Sequence, residues 1–253
     1  MNMLVVLNGA QKGGSTWLAK IVQAMNFCER VPEEFKVPGW TSSSISEDKL
    51  DLFLNSFDLT SRNFYCKQHW HSSNRFKELI EHPDVRMVNI IRDIRDVLIS
   101  RYFHDLRLDN TQESDLEVYF DLRGRDLMRQ YMEYHTFWHG NENSIQPFLC
   151  SYERLHSDFN SQVVELIEYL NLSYDNTTIK RIEMKTSFSS MKITGEGEFF
   201  RKGTVGDWRN YLSDRIINDL KKLANDVGYL ETKRKMLKKF SLSILEQIDF
   251  GIA

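Results

Sequence analysis

The sequence predicts an α/β protein, a single domain built on a central parallel β-sheet flanked by helices on both faces. Three observations carry that expectation. Short β-branched apolar runs recur along the chain, each ahead of a helical pattern, and the first breaks into a glycine-rich loop before its helix begins. The 253 residues contain no internal repeat and no low-complexity linker, and only four prolines. At that length one core suffices, and a second domain is not demanded.

Taken in order, the first strand is expected at Met3 to Leu7, and Gly9, Gly13 and Gly14 separate it from a helix that follows Ser15. Amides at the start of that helix, with the Ser15 and Thr16 hydroxyls beside them, form an anion cradle favoured by the helix dipole. The spacing approaches a Walker A loop, but Ser15 stands where that loop needs its lysine, and the lysine has moved to Lys12. Hydrolysis of ATP or GTP with a loop-bound Mg²⁺ therefore fits poorly. A second strand is expected over Phe64 to Lys67 in FYCKQHWH, where a period of two places Lys67, His69 and His71 on one face.

A third strand, Met87 to Ile91, meets Arg92 and a helix after Asp93. Arg92 and Ser100 can converge on one ligand group from strand end and helix, while surface ion pairing of Arg92, Arg95 and Asp96 is the plain alternative. Leu116 to His139 reads as helix, Pro147 to Ser151 as the fourth strand, and further helices follow Ser157 and Ser213. The tail, 231–253, carries Lys233, Arg234, Lys235, Lys238 and Lys239, with Leu237, Phe240, Ile244 and Ile248 at helical spacing. A C-terminal helix docked on the domain is expected, with a basic patch for an anionic partner as the alternative.

The segment FFRKGTVGDWRN, Phe199 to Asn210, sets a cationic pair beside two glycines and a tryptophan. Arg201 offers a planar fork for phosphate oxygens, Lys202 adds a point charge, and Gly203 lets backbone N–H groups approach an anion with no Cβ in the way.

In order and separation these segments resemble the sulfotransferases that use 3′-phosphoadenosine 5′-phosphosulfate (PAPS), over nearly the whole chain. The family loop PKSGTTW reads QKGGSTW here, so Lys12, Gly14, Thr16 and Trp17 match while Gln11, Gly13 and Ser15 depart. Arg92 and Ser100 fall at the spacing of the family's 3′-phosphate segment, and Arg201 to Trp208 match its RKGxxGDW outright. The resemblance implies a P-loop-NTPase-like sulfotransferase fold across 1–253. It implies PAPS as donor, adenosine 3′,5′-bisphosphate (PAP) as product, and no metal. Lys12, Gly13, Gly14, Ser15 and Thr16 would receive the 5′-phosphosulfate, and Arg92, Ser100, Arg201, Lys202 and Gly203 the 3′-phosphate. Tyr152 in SYERL, with Thr186 and Phe188 in TSFSSMK, would surround the adenine opposite Trp17; aromatic faces suit a base, at roughly 1–3 kcal/mol per contact. His69 would be the general base, with His71 its competitor, and Lys12 and Lys67 the electrostatic catalysts.

The acceptor is expected to be a small-molecule alcohol or phenol, with an amine second. By resemblance its pocket is walled by Glu29 to Arg62, Tyr102 to Arg125 and Ser189 to Phe200. Phe35, Trp40, Phe53, Tyr102 and Phe103 would line an apolar slot, while Glu33, Glu34, Asp105 and Asp109 would favour a cationic or polyhydroxylated molecule. A small-molecule kinase and a non-catalytic PAP sensor are the rival readings. A net charge of −3 gives no drive towards nucleic acid. The scattered Cys28, Cys66 and Cys150 form neither a disulfide framework nor a zinc motif. The absence of an apolar run of about 20 residues and of a charged leader points to a cytoplasmic protein without a membrane anchor. Relatives dimerise through a Lys-x-x-x-Thr-Val-x-x-x-Glu segment. The aligned Arg209 to Asn218 has Ser213, Asp214 and Asn218 at the key positions, so a monomer or a different dimer is expected.

Overall fold

The computed structural model describes residues 3–37, 44–57, 62–70, 78–79, 81–140, 147–191 and 202–238, apart from the side chains of Glu47 and Phe188. Five parallel strands, β1 (Leu4–Gly9), β2 (Glu29–Arg30), β3 (Phe64–Gln68), β4 (Val85–Ile91) and β5 (Phe148–Ser151), form one sheet in the order β2-β3-β1-β4-β5. Central β1 sets Leu4 opposite Phe64 on one side and Val85 on the other.

Helices are α1 (Ser15–Met25), α2 (Leu50–Phe57), α3 (Ile94–Arg107), α4 (Leu116–Tyr119), α5 (Arg125–His139), α6 (Tyr152–Ser157), α7 (Phe159–Tyr169), α8 (Asn176–Thr186), α9 (Phe188–Met191), α10 (Asp214–Asp226) and α11 (Tyr229–Leu237). Because strand side chains alternate, Leu4 and Val6 join a core with Val97 of α3, Met132 of α5, Leu220 of α10 and Met236 of α11. Val5 and Leu7 join a second core with Leu18 of α1, Leu166 of α7 and Ile182 of α8. The sheet is thus covered on both faces, and every residue of β1 is buried.

Capping fixes several helix starts. Asp93 accepts from the Arg95 amide, Ser151 from that of Arg154, and Ser213 from that of Ile216. The helix expected after Ser157 is α7, but α6 precedes it directly from the end of β5. The helix expected over Leu116 to His139 is continuous in direction, with one π turn at Phe120–Gly124. Gly124 sits there because a Cβ would come within 3.0 Å of Leu98 Cδ1. Tyr229, Met236 and Leu237 of α11 are buried in the first core, and residues 239–253 of the expected tail helix lie outside the described residues. Among the described residues no helix is long and apolar enough to cross a membrane. Cys66 and Cys150 are buried free thiols, and Cys28 is half-buried; burial pushes Cys66 up to about 12.

One buried group gives the fold a pH dependence. His135 is fully buried, both its ring nitrogens are without hydrogen-bond partners among the described residues, and its neighbours include Tyr131, Tyr134, His139 and Tyr229. Burial lowers it from 6.5 to about 3. The unfolded chain therefore takes up a proton that the native state refuses, and stability present above about pH 6.5 is lost as the pH falls. Buried Glu153, raised to about 7, acts in the opposite sense, so the effect is read as a difference. Relative to His135→Phe, the unsubstituted protein should lose about 1.4 kcal/mol per pH unit between about pH 6 and 4 in chemical denaturation. Parallel curves for the two proteins would refute a neutral buried imidazole.

Candidate active site

The carboxyl ends of β3, β1 and β4 meet where the chain switches from one side of β1 to the other, the position at which open α/β sheets hold ligands. The loop after β1 is shaped by close packing. A Cβ on Gly9 would sit 3.1 Å from both Ile90 Cγ2 and Ser15 Cβ, and one on Gly14 would strike Tyr152 Cδ2 at 2.7 Å. Gly14 also has φ 104°, which only glycine adopts freely. The Gly13 amide donates to the Ala10 carbonyl, closing the turn. Beyond it the first-turn amides of α1 have no intrahelical acceptor, and Ser15 lies buried among them. Strand, glycine loop and helix thus follow in the expected order, and the loop presents the start of α1.

Two lysines converge on it. Lys12 stands in the left-handed region at φ 66°, a strained conformation for a residue with a Cβ. Burial, followed by repulsion from Arg107, Arg101, Arg92 and Lys67, lowers its ammonium to about 8. The Lys67 Nζ reaches across from β3 to donate to Thr16 Oγ1 at 2.9 Å. Just past β3, half-buried His69 donates from Nδ1 to the Gly9 carbonyl. That bond fixes the tautomer, leaving the lone pair on Nε2. His71 lies outside the described residues.

Arg92 closes β4 under several restraints. Its backbone N–H donates to the Tyr131 hydroxyl, which donates back to the Arg92 carbonyl, both at 2.9 Å. Its guanidinium lies 4.1 Å from the centre of the Tyr152 ring and donates to the Thr204 carbonyl at 3.4 Å. The Nε is buried without an acceptor among the described residues, an unmet donor of the kind a phosphate oxygen would complete. Ser100 stands half-buried farther along α3.

The Gly-Asp-Trp turn is bound to the start of α3. Asp96 accepts from the amides of Gly206 at 2.7 Å and Trp208 at 2.9 Å, and the Arg95 guanidinium stacks 3.9 Å from the centre of a Trp208 ring. Surface ion pairing is the plain alternative for Arg95 and Asp96. They are buried, and Asp96 instead brings the segment at Gly203, itself at φ 65°, beside Arg92. Lys202 donates to Asp207 and to the Tyr211 hydroxyl, each at 3.1 Å. Arg201 lies outside the described residues. Behind Arg92, Glu153 accepts from the Asp93 amide at 2.9 Å and from the Ser151 hydroxyl at 3.2 Å. Burial raises its carboxyl to about 7, against the lowering effect of the Asp93 amide bond.

Trp17, Tyr152 and Thr186 are also gathered. The Trp17 indole N–H donates to the Thr186 carbonyl at 3.0 Å, and its ring meets Tyr152 edge-on at 5.4 Å and His156 at 4.8 Å. The Thr186 hydroxyl donates to the Ile182 carbonyl. Phe188 opens α9, but its side chain lies outside the described residues. His156 was not anticipated; it follows Tyr152 by one helical turn.

The expected acceptor wall is partly corrected. Phe53 and Tyr102 are core residues, 2 % and 6 % exposed, and Phe35 packs against Phe53; Trp40 lies outside the described residues. Asp105 is fully buried and accepts from Tyr119, Arg101 and Asn110, so it cannot receive a cationic acceptor. Glu33 pairs with Lys36. Short amphipathic patterning conceals such commitments, because aspartates on buried and exposed helix faces read alike.

Sheet, loop and cationic groups define a class: an α/β protein that holds phosphate-type anions at the carboxyl edge of its strands. The family model described as a sulfotransferase domain matches residues 4–240, and the chain belongs to the sulfotransferase family. Cytosolic sulfotransferase 1 of Arabidopsis thaliana is 25 % identical over 255 residues, covering 85 % of this chain and 76 % of that protein. Sulfotransferase 2A1 of Homo sapiens is 23 % identical over 236 residues, covering 87 % and 82 %. An amine sulfotransferase of Oryctolagus cuniculus is 23 % identical over 157 residues, covering 53 % of this chain and 51 % of that protein, about half its length. The solved structure of mouse sulfotransferase SULT7A1 complexed with PAP has a TM-score of 0.70 at 17 % identity, covering 95 % of this chain and 89 % of that one. Retinol dehydratase in complex with androsterone and inactive cofactor PAP gives 0.64 at 16 %, covering 89 % and 80 %. At these identities the structural likeness speaks for the fold.

Proposed function

We propose that this chain moves the sulfuryl group of PAPS to a hydroxyl of a small-molecule acceptor, releasing PAP. The observation that carries the reading is the convergence of Lys12, Lys67 and His69 on the cradle at the ends of β1 and β3. Arg92, with its buried unmet donor, supports a distinct phosphate site. His69 takes the acceptor proton on Nε2 as the acceptor oxygen bonds to sulfur, and the bridging oxygen leaves with the electron pair of the broken S–O bond. Lys12 and Lys67 offset the charge on that oxygen, while the amides of Gly14, Ser15 and Thr16 hold the phosphate, with Gly13 closing the turn that presents them. Arg92, Ser100, Arg201, Lys202 and Gly203 grip the 3′-phosphate, and Trp17, Tyr152, Thr186 and Phe188 surround the adenine. That remote grip fixes orientation, a large part of the advantage for two bound substrates. An amine acceptor is the second reading, favoured by the alignment with an amine sulfotransferase. A cytoplasmic location is supported by relatives named as cytosolic. A monomer, or a dimer through another surface, fits the use of Ser213 as a helix cap.

Transfer of labelled sulfate from PAPS to a panel of phenols and amines tests the activity. With fixed cations carrying the electrostatic task, the rate should survive exhaustive EDTA within about a factor of three. A rate that collapses with EDTA and returns with Mg²⁺ would move the protein towards phosphoryl transfer and remove the ground for the Lys12 role.

A further inference from the structure

The outer face of α3 carries chemistry that the donor does not use. Arg101, His104 and Arg107 follow one another at three-residue spacing and so share one side of the helix. The Arg101 guanidinium donates to Gln11 Oε1, tying this face to the glycine loop one residue before Lys12. Arg107 donates to His104 Nδ1 at 2.9 Å, so a neutral imidazole carries its proton on Nε2.

The local field is positive. His104 is lowered to about 4 by burial and then by Lys12, Arg107 and Arg101, against a smaller opposing pull from Asp105. The same two arginines lead the repulsion acting on Lys12. Asp105 is buried beneath, bonded to Arg101 and Tyr119. In the proposed reaction Lys12 and Lys67 face the phosphosulfate and Arg92 the 3′-phosphate, so Arg101, His104 and Arg107, although close enough to act on Lys12, have no part in holding the donor.

We propose that this face of α3, joined to the Lys12 loop through Gln11, is a subsite for a carboxylate or comparable anionic group carried by the acceptor. The inference rests on the sulfotransferase reading and narrows its acceptor to anionic molecules. It reverses the expectation of a cationic acceptor drawn from the acidic residues of the same segment.

The test uses three phenols that differ in charge: 4-hydroxyphenylacetate, its neutral amide, and tyramine. Each is titrated by calorimetry into PAP-saturated protein, and sulfation of each is measured separately. The carboxylate should bind at least about tenfold more tightly than the amide, with tyramine weakest, and the preference should weaken with salt. Arg107 is exposed and can be replaced without opening the core. Arg107→Gln should abolish the preference and Arg107→Glu reverse it towards tyramine, both leaving PAP affinity within about threefold. Equal binding of the three phenols, or no binding of the carboxylate, overturns the subsite. So does a loss of PAP affinity in Arg107→Gln as large as the loss of carboxylate affinity, which would give this face to the donor. Charge-selective binding without sulfation would keep the subsite and sink the transfer reaction, whereas sulfation indifferent to charge would do the opposite.

Discussion

His69→Ala and Lys12→Ala are each expected to lower turnover by at least about a hundredfold while leaving nucleotide binding largely intact. The two losses have different causes. His69 is held by its Nδ1 bond to the Gly9 carbonyl, so in the neutral ring Nε2 is the basic nitrogen. On the proposed mechanism, removing it would leave the acceptor hydroxyl to lose its proton to water. Lys12 is placed by a strained backbone, and burial, followed by the crowding of neighbouring cations, lowers its ammonium to about 8. An arriving anion relieves that crowding, and the relief grows as negative charge accumulates on the leaving oxygen. In the unliganded protein Lys12 holds its proton below about pH 8 and loses it above, so kcat/KM should fall on the alkaline side of that value. The alkaline limb should vanish in Lys12→Ala. Unchanged activity in His69→Ala would hand the base role to His71 or an acidic neighbour.

How much of this arrangement was legible in the sequence depends on whether a residue's task is local. The strands β1, β3, β4 and β5 could be read because each is a compact apolar run, but β2 could not: Glu29 and Arg30 are exposed and have no apolar period. Gly14 was read as a loop glycine from its place between strand and helix. That its Cβ would strike Tyr152, distant in sequence, is a fact of packing that no local pattern encodes. Lys67 and His69 fell on one face by the period of two, whereas the bond from Lys67 to Thr16 needs the strand pairing.

The largest departure is Asp96. Beside Arg92 and Arg95 it reads as part of a solvated charge run, yet it is buried and accepts from the amides of Gly206 and Trp208. The RKGxxGDW segment reaches Arg92 because a carboxylate on α3 fastens its turn there. The same limit applies to Asp105, whose burial under Arg101 and Tyr119 turned an expected cation site into part of a positive surface. Charged residues on a helix are assigned to solvent by default, and only the tertiary fold shows which are enclosed.

The second large effect concerns nucleotide choice. Arg92 is restrained on every side: its backbone by Tyr131, its guanidinium by the Tyr152 ring and the Thr204 carbonyl, and its strand end by Glu153 through the Asp93 amide. A group so fixed cannot turn to solvent when its ligand lacks the matching phosphate, and its buried Nε then stays unsatisfied. Leaving a charged donor unpaired in a closed site costs several kcal/mol as an order of magnitude, so PAP should bind at least about a hundredfold more tightly than adenosine 5′-monophosphate. Arg92→Ala should erase most of that ratio by weakening PAP and sparing the monophosphate, because the lost interaction belongs to the 3′-phosphate alone. Calorimetry that found equal affinities in the unsubstituted protein would remove the 3′-phosphate assignment from Arg92. A parallel loss for both nucleotides in Arg92→Ala would instead show that the arginine serves the adenine wall by holding Tyr152.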